Sequence, residues 1–178
     1  MISERLTRIA NKLSDLVPYE DANGRWGFAN SKKEVVIPCQ WKIVGSFYED
    51  GLARVVNDDM RQGFINLRGE LVIPYQWKKC SSFANGYAWV VNDEGKCGYI
   101  DVHGNLVVPC CWKKASHFHD GLAGVMNFDD KVGFIDTKGN VVIPCKWRNA
   151  KAFRGDMSMA EDESGWHYID RKGNIIKG

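Results

Sequence analysis

The feature that most constrains this chain is that it repeats itself. A triplet of the Val-Ile-Pro type ends at Pro38, Pro74, Pro109 and Pro144, at steps of 36, 35 and 35. Trp41, Trp77, Trp112 and Trp147 stand three residues after each proline, and Phe47, Phe83, Phe118 and Phe153 stand six after each tryptophan. Gly51-Leu52-Ala53, Gly86-Tyr87-Ala88 and Gly121-Leu122-Ala123 follow, with Asp156-Met157-Ser158 as a weaker fourth copy. A period of this length marks one supersecondary unit that cannot bury its apolar side alone, so that neighbouring copies must cover one another.

Within each copy the residues read as strands. Leu52–Val56, Tyr87–Val91 and Leu122–Met126 form a first strand; a polar turn leads to Gly63–Asn66, Gly98–Asp101 and Gly133–Asp136; a second turn holding Gly69, Gly104, Gly139 or Gly173 leads to Leu71-Val72-Ile73 and its copies. Short β-branched runs bounded by Gly, Asn and Asp are hairpin signals. The expected fold is therefore mainly β: a tandem array of five three-stranded antiparallel meanders over residues 16–178, with units at about 16–38, 52–74, 87–109, 122–144 and 157–178. The roughly ten residues from proline to phenylalanine cross to the next unit. Upstream, Ile2, Leu6, Ile9 and Leu13 recur at helical spacing among Arg5, Arg8 and Lys12, which predicts an amphipathic capping helix over residues 1–15. With no strand left over to pair the first unit with the last, an open twisted array is expected, and a closed five-bladed, propeller-like toroid is the alternative. An open array exposes end strands through which copies can self-associate.

Composition narrows the partners. Lys and Arg number 24 against 22 Asp and Glu, a net charge of +2, so no strong field points at nucleic acid or an anionic membrane. No apolar run approaches the roughly 20 residues of a membrane span. Residues 1–16 lack the unbroken apolar centre of a signal peptide. The six cysteines form no CxxC pair and read as free thiols, which together predict a cytosolic protein.

Trp26-Gly27-Phe28, the recurring aromatic-Ile-Asp-x-x-Gly-x-Val-Ile-Pro pattern and the Phe-x-x-Gly-Leu-Ala segments resemble the bacterial WG (or KWG) repeat family across residues 16–178. The match departs from the pattern at Gln62, Cys97 and Val132, which replace the naming tryptophan, and at His167, which replaces the glycine after Trp166. The resemblance implies a β-rich array and no particular activity.

Candidate chemistry is sparse. Asp101, Asp136 and Asp170, with Asn30 and Asn66 in register, could form a carboxylate ladder, but a side-chain oxygen three residues before a glycine suits a turn better. The aromatic series Trp41/Trp77/Trp112/Trp147 and Phe28/Phe64/Tyr99/Phe134/Tyr168 recur in the manner of core rings. In the third unit, Cys111 replaces a polar counterpart, and His117 and His119 flank Phe118 on one face of an extended segment. These three could ligate zinc or copper, or serve a hydrolytic site, although their spacing matches no standard zinc motif. First turns are acidic, second turns and the position after each ladder tryptophan are basic, so stacking would produce opposed charged rims. No GxSxG, P-loop, GxGxxG or HExxH is present, and no cofactor is implied.

The positions that differ between copies carry the functional expectation. In strand one, Ala53, Ala88, Ala123 and Ser158 stay small, whereas Arg54, Trp89, Gly124 and Met159 share nothing. A repeated scaffold bearing changing side chains is where a binding surface is written, and Trp89 is the strongest single contact candidate. The expected function is a non-catalytic binding or scaffold module for a protein or peptide. Alternatives are a metal-binding or hydrolytic site at Cys111, His117 and His119, and a carbohydrate or cell-wall binder using exposed aromatics.

Overall fold

The computed structural model describes residues 15–176, and the expected capping helix lies outside them. The chain divides into two compact units, Met1–Phe83 with Val102–Gly104, and Ala84–Asp101 with Asn105–Gly178. The described residues form five antiparallel sheets of three or four strands, and no sheet closes on itself. Sheet one contains β1 (Val17–Glu20), β2 (Trp26–Ala29) and β3 (Val35–Trp41). Sheet two runs in the order β4 (Ile43–Phe47), β5 (Leu52–Val56), β6 (Gln62–Asn66), β7 (Leu71–Trp77) and is followed by the two-residue β8 (Lys79–Cys80). Sheet three carries β9 (Tyr87–Val91), β10 (Cys97–Asp101) and β11 (Leu106–Trp112). Sheet four repeats the order of sheet two with β12 (Lys114–Ala115), β13 (Leu122–Met126), β14 (Val132–Asp136) and β15 (Val141–Trp147). Sheet five has β16 (Asn149–Ala150), β17 (Met157–Asp162) and β18 (Gly165–Asp170).

Two features differ from the sequence expectation. The third strand does not stop at its proline but continues to the tryptophan, and part of the crossing segment forms a further short strand, as at Lys114–Ala115, which pairs with Met126 and Val125. The first is accommodated by a bulge of three residues against one. Gln62 pairs with Trp77 and Phe64 with Ile73, so Gly63 alone opposes Pro74, Tyr75 and Gln76. The same offset recurs at Gly27, Gly98 and Gly133. A proline without an N–H is tolerated there because the bulge takes it out of the hydrogen-bond ladder.

That bulge explains why the repeat requires glycine in strand two. A Cβ at Gly63, Gly98 or Gly133 would lie 2.5 Å from the carbonyl oxygen of Ile73, Val108 or Ile143, and one at Gly27 would collide with that of Ile37. His167 occupies the equivalent place in sheet five, where no bulged strand overlies it among the described residues; the chain beyond β18 meets it through the Ile169–Ile175 bridge.

The core is written by the recurring aromatics. Phe28 packs on Phe47 with ring centroids 4.7 Å apart, Phe64 on Phe83 at 4.8 Å, Tyr99 on Phe118 at 4.6 Å and Phe134 on Phe153 at 4.9 Å. Each pair joins strand two to a crossing segment, in tilted or edge arrangements that favour aromatic contact. Trp41, Trp77 and Trp147 are buried, Trp112 is half-buried, and Tyr168 is the exception at 57% exposed. Trp41 donates from Nε1 to the Tyr75 hydroxyl at 2.7 Å. Trp112 faces no such partner among the described residues, and a cysteine, Cys145, stands at the repeat position of Tyr75.

Turns fix the register. Asn66 Oδ1 accepts from the backbone of Arg68 and Glu70, and Asp136 Oδ1 from that of Lys138 and Asn140, so these side chains close turns and form no ladder of free carboxylates. Gly69 follows with φ 79°, and a Cβ on it would reach within 2.8 Å of Ile37 Cγ2, so this glycine supplies both the left-handed turn and the close approach of one repeat to the one before.

Candidate functional site

The strand-one positions that vary each stand directly across from the aromatic of strand two: Arg54 from Phe64, Trp89 from Tyr99, Gly124 from Phe134 and Met159 from Tyr168. Cross-strand partners point to the same face, so the variable side chain decides how the space over the aromatic is filled. In sheet two Arg54 fills it. Its Nη1 donates to Gln62 Oε1 at 3.2 Å and lies 3.4 Å from the Cys80 carbonyl, while Gln62 Oε1 also accepts from Cys80 N at 2.8 Å. In sheet three Trp89 fills it, half-buried against the core that holds Tyr99 and Phe118.

In sheet four nothing fills it. Gly124 leaves a recess of about 370 Å³ floored by Phe134 and Val132 and walled by Ala150 where sheet two has Cys80. Ser116 Oγ accepts from Gly124 N at 2.9 Å and holds the crossing segment against the strand. Lys114, Lys151, His117 and His119 complete the rim. A second recess of about 410 Å³ shares Lys151 and Ala152 and is lined further by Arg154, Met157, Met159 and Tyr168. Two of the four variable positions, Gly124 and Met159, thus line neighbouring recesses, whereas Arg54 is engaged by Gln62 and Cys80 and Trp89 by the cluster around Tyr99 and Phe118.

The three proposed metal ligands do not assemble. His117 and His119 share the first recess, but Cys111 lies on an exposed face of β11 and does not line it. Among the described residues no three His, Cys, Asp or Glu side chains gather as a metal site. All six thiols are pushed above the ordinary cysteine value, with burial the leading cause in each, and Cys80 reaches about 12. Such thiols stay protonated at neutral pH and are poor ligands and nucleophiles. Burial, then the like charge of His119, holds His117 below the ordinary imidazole value, and its buried Nδ1 has no partner among the described residues.

One Ser/His/Asp cluster was not legible beforehand. Asp162 Oδ1 accepts from Ser164 N at 2.8 Å and Ser164 Oγ at 2.6 Å and lies 3.0 Å from His167 Nε2, which is itself 2.8 Å from Ser164 Oγ. A hydrolytic triad needs the carboxylate on one ring nitrogen and the hydroxyl on the other. Here both crowd the same nitrogen, and the cluster locks the β17–β18 turn. The Ser164 hydrogen bonds, followed by that of His167, pull the Asp162 carboxyl down to about 2.

Some of the turn charges are engaged locally. Lys113, which follows a ladder tryptophan, pairs with the acidic-turn Asp130 at 2.6 Å, and Arg148 approaches Glu163 at 3.7 Å. Arg171, in a basic second turn, donates to the Asp120 and Gly155 carbonyls at 2.7 and 3.1 Å.

Comparison with solved structures gives a likeness of fold alone. The dihydro-heme d1 dehydrogenase NirN, in complex with DHE, aligns over 94% of this chain and 44% of its own at 14% identity and a TM-score of 0.53. The computationally designed Ika8 protein aligns over 92% and 58% at 11% identity and a TM-score of 0.52. The WD40 beta propeller domain of Doa1, at 92% and 64% coverage, 12% identity and a TM-score of 0.46, is too distant to bear on this chain. The chain spans less than two thirds of the length of each. No curated protein matches it in sequence. A family model described as WG containing repeat matches residues 26–60, 63–97, 98–131 and 133–166. Each match carries the strand-two position around which the bulge, the aromatic pair and the turn are built, and the chain belongs to the WG containing repeat family.

Proposed function

We propose that this chain is a non-catalytic binding module that recognises a protein or peptide on the strand-one face where its repeats differ. The observation that supports the reading is the contrast at one repeat position: the space that Arg54 occupies in sheet two is left open by Gly124 in sheet four. Repeats held to one backbone while a single position ranges over Arg, Trp, Gly and Met are suited to presenting a surface. Six unpaired cysteines suit a reducing compartment, and we place the protein in the cytosol.

The test is affinity capture with mass spectrometry on the wild-type chain beside Gly124→Arg and Trp89→Ala, each checked for native circular dichroism. A specific partner held by the wild type and by an Asp129→Asn control, but lost from Gly124→Arg, is the expected result. Equal capture by all four proteins would remove the strand-one face from consideration.

A further inference from the structure

The two neighbouring recesses of sheets four and five share a chemistry that neither composition nor repeat pattern dictates. Over the whole chain cations and anions nearly balance, at 24 to 22. The linings of these recesses nevertheless hold Lys114, Lys151 and Arg154 with no carboxylate among them. Elsewhere in the molecule cations find acids, as in Arg25–Asp58 at 2.6 Å and Lys96–Glu94 at 2.7 Å. Among the described residues the Arg154 guanidinium has no ion-pair partner, and the Lys151 ammonium rests over the Trp166 ring at 5.4 Å. Lys151 and Arg154, left without acids, are a complement to an anionic partner, while Lys114 lies in the field of Asp130.

The remaining surface is apolar and adaptable. Met126 borders the first recess, while Met157, Met159 and Tyr168 line the second, with Met157 51% and Tyr168 57% exposed. Thioether side chains re-pack around apolar groups of different shape and are favoured where a surface must accept them. Lys151 and Ala152 belong to both recesses, which therefore adjoin along one stretch of chain. Exposed walls and a shared sill suit an extended chain better than a small molecule, which prefers to be enclosed. A single-stranded nucleic acid would also meet the cations, but it binds by stacking successive bases on aromatic faces, and of the two rings that line the recesses Phe134 is buried and Tyr168 alone is exposed.

Resting on the reading of this face as a binding surface, we infer that the partner is an extended acidic peptide segment bearing apolar side chains, its carboxylates set on Lys151 and Arg154 and its apolar side chains over Gly124 and Met159. His117 and His119 stand at the rim of the first recess, where the peptide backbone would pass.

The inference is tested on the full chain by fluorescence anisotropy with short labelled peptides of alternating Glu-Leu, Glu-Ser and Lys-Leu, and with a short oligothymidylate. The Glu-Leu peptide should bind most tightly and lose at least about tenfold in affinity on Lys151→Glu/Arg154→Glu, with a smaller loss on the milder Lys151→Gln/Arg154→Gln. Equal or tighter binding of Lys-Leu or of the oligothymidylate would overturn the inference. A random-peptide display selection on the same chain separates the two levels of the reading. Selected peptides that require Gly124 yet lack acidic residues would overturn the partner chemistry and leave the binding face standing; no selected peptide at all would overturn both.

Discussion

Sheets two and four have the same strand order, the same register and the same bulge, yet one is plugged and the other is hollow. Leu52 pairs with Asn66 as Leu122 pairs with Asp136, and Gln62 meets Trp77 as Val132 meets Trp147. Where sheet two places Arg54 and Gln62, hydrogen-bonded to each other and to the backbone of Cys80, sheet four places Gly124 and Val132 around an open recess. The difference teaches that the fold is set by one group of positions and the surface by another, and that the second group can change from a polar plug to empty space without disturbing the first.

That separation can be broken by experiment. If the scaffold positions are equivalent, Phe64→Ala and Phe134→Ala should each cost about 3–5 kcal/mol in urea unfolding, since both rings are buried against a second ring; a cost in one sheet alone would show that they are not. Within sheet four, Gly133→Ala drives a Cβ to 2.5 Å from the Ile143 oxygen and should cost roughly 3 kcal/mol, whereas Gly124→Ala, whose nearest neighbour is Ser116 Oγ at 3.4 Å, should stay within about 0.5 kcal/mol. Exchanging the variable pair is a sharper test. Arg54→Gly should cost about 1–2 kcal/mol by removing the plug beside buried Gln62, while Gly124→Arg with Val132→Gln should be nearly neutral for stability and abolish ligand binding at the first recess. The smallest effect concerns pH. His117 is held below its ordinary value in the folded chain, so the unfolded chain binds the proton more readily. Its contribution to stability is complete above the ordinary imidazole value and is lost as pH falls through the lowered one; His117→Gln should flatten that acid limb of the stability profile.

Much of this scaffold was legible in the residues. Strand one matches its expected limits at Leu52–Val56, Tyr87–Val91 and Leu122–Met126, because β-branched runs between Gly and Asn leave little choice of register. Strand three was cut short at Pro74 because proline ordinarily ends pairing, and the three-against-one bulge that accommodates it is a property of two strands together. Lys114–Ala115 is too short to show any periodicity. Gly124 and Met159 stood out as positions that change. That Lys114, His117 and Lys151 meet at Gly124 depends on crossing segments folding over the strand, which local pattern does not encode. Cys111 failed as a partner of the two histidines for the same reason: nearness along the chain put it on a different face.

The seat that Ile37 offers to Gly69 recurs where Val108 meets Gly139 and Ile143 meets Gly173. The three middle copies therefore carry both halves of a joint, an aliphatic knob for the copy that follows (Ile73, Val108, Ile143) and a bare backbone notch for the one that precedes (Gly69, Gly104, Gly139), while Ile37 of the first copy supplies a knob and Gly173 of the last a notch. Growth or shrinkage of such a chain by whole copies needs no new joint, whereas loss of part of a copy leaves a knob or a notch without its mate. Lineages that vary this architecture should accordingly differ by steps of about 35 residues, with intermediate lengths confined to the turns.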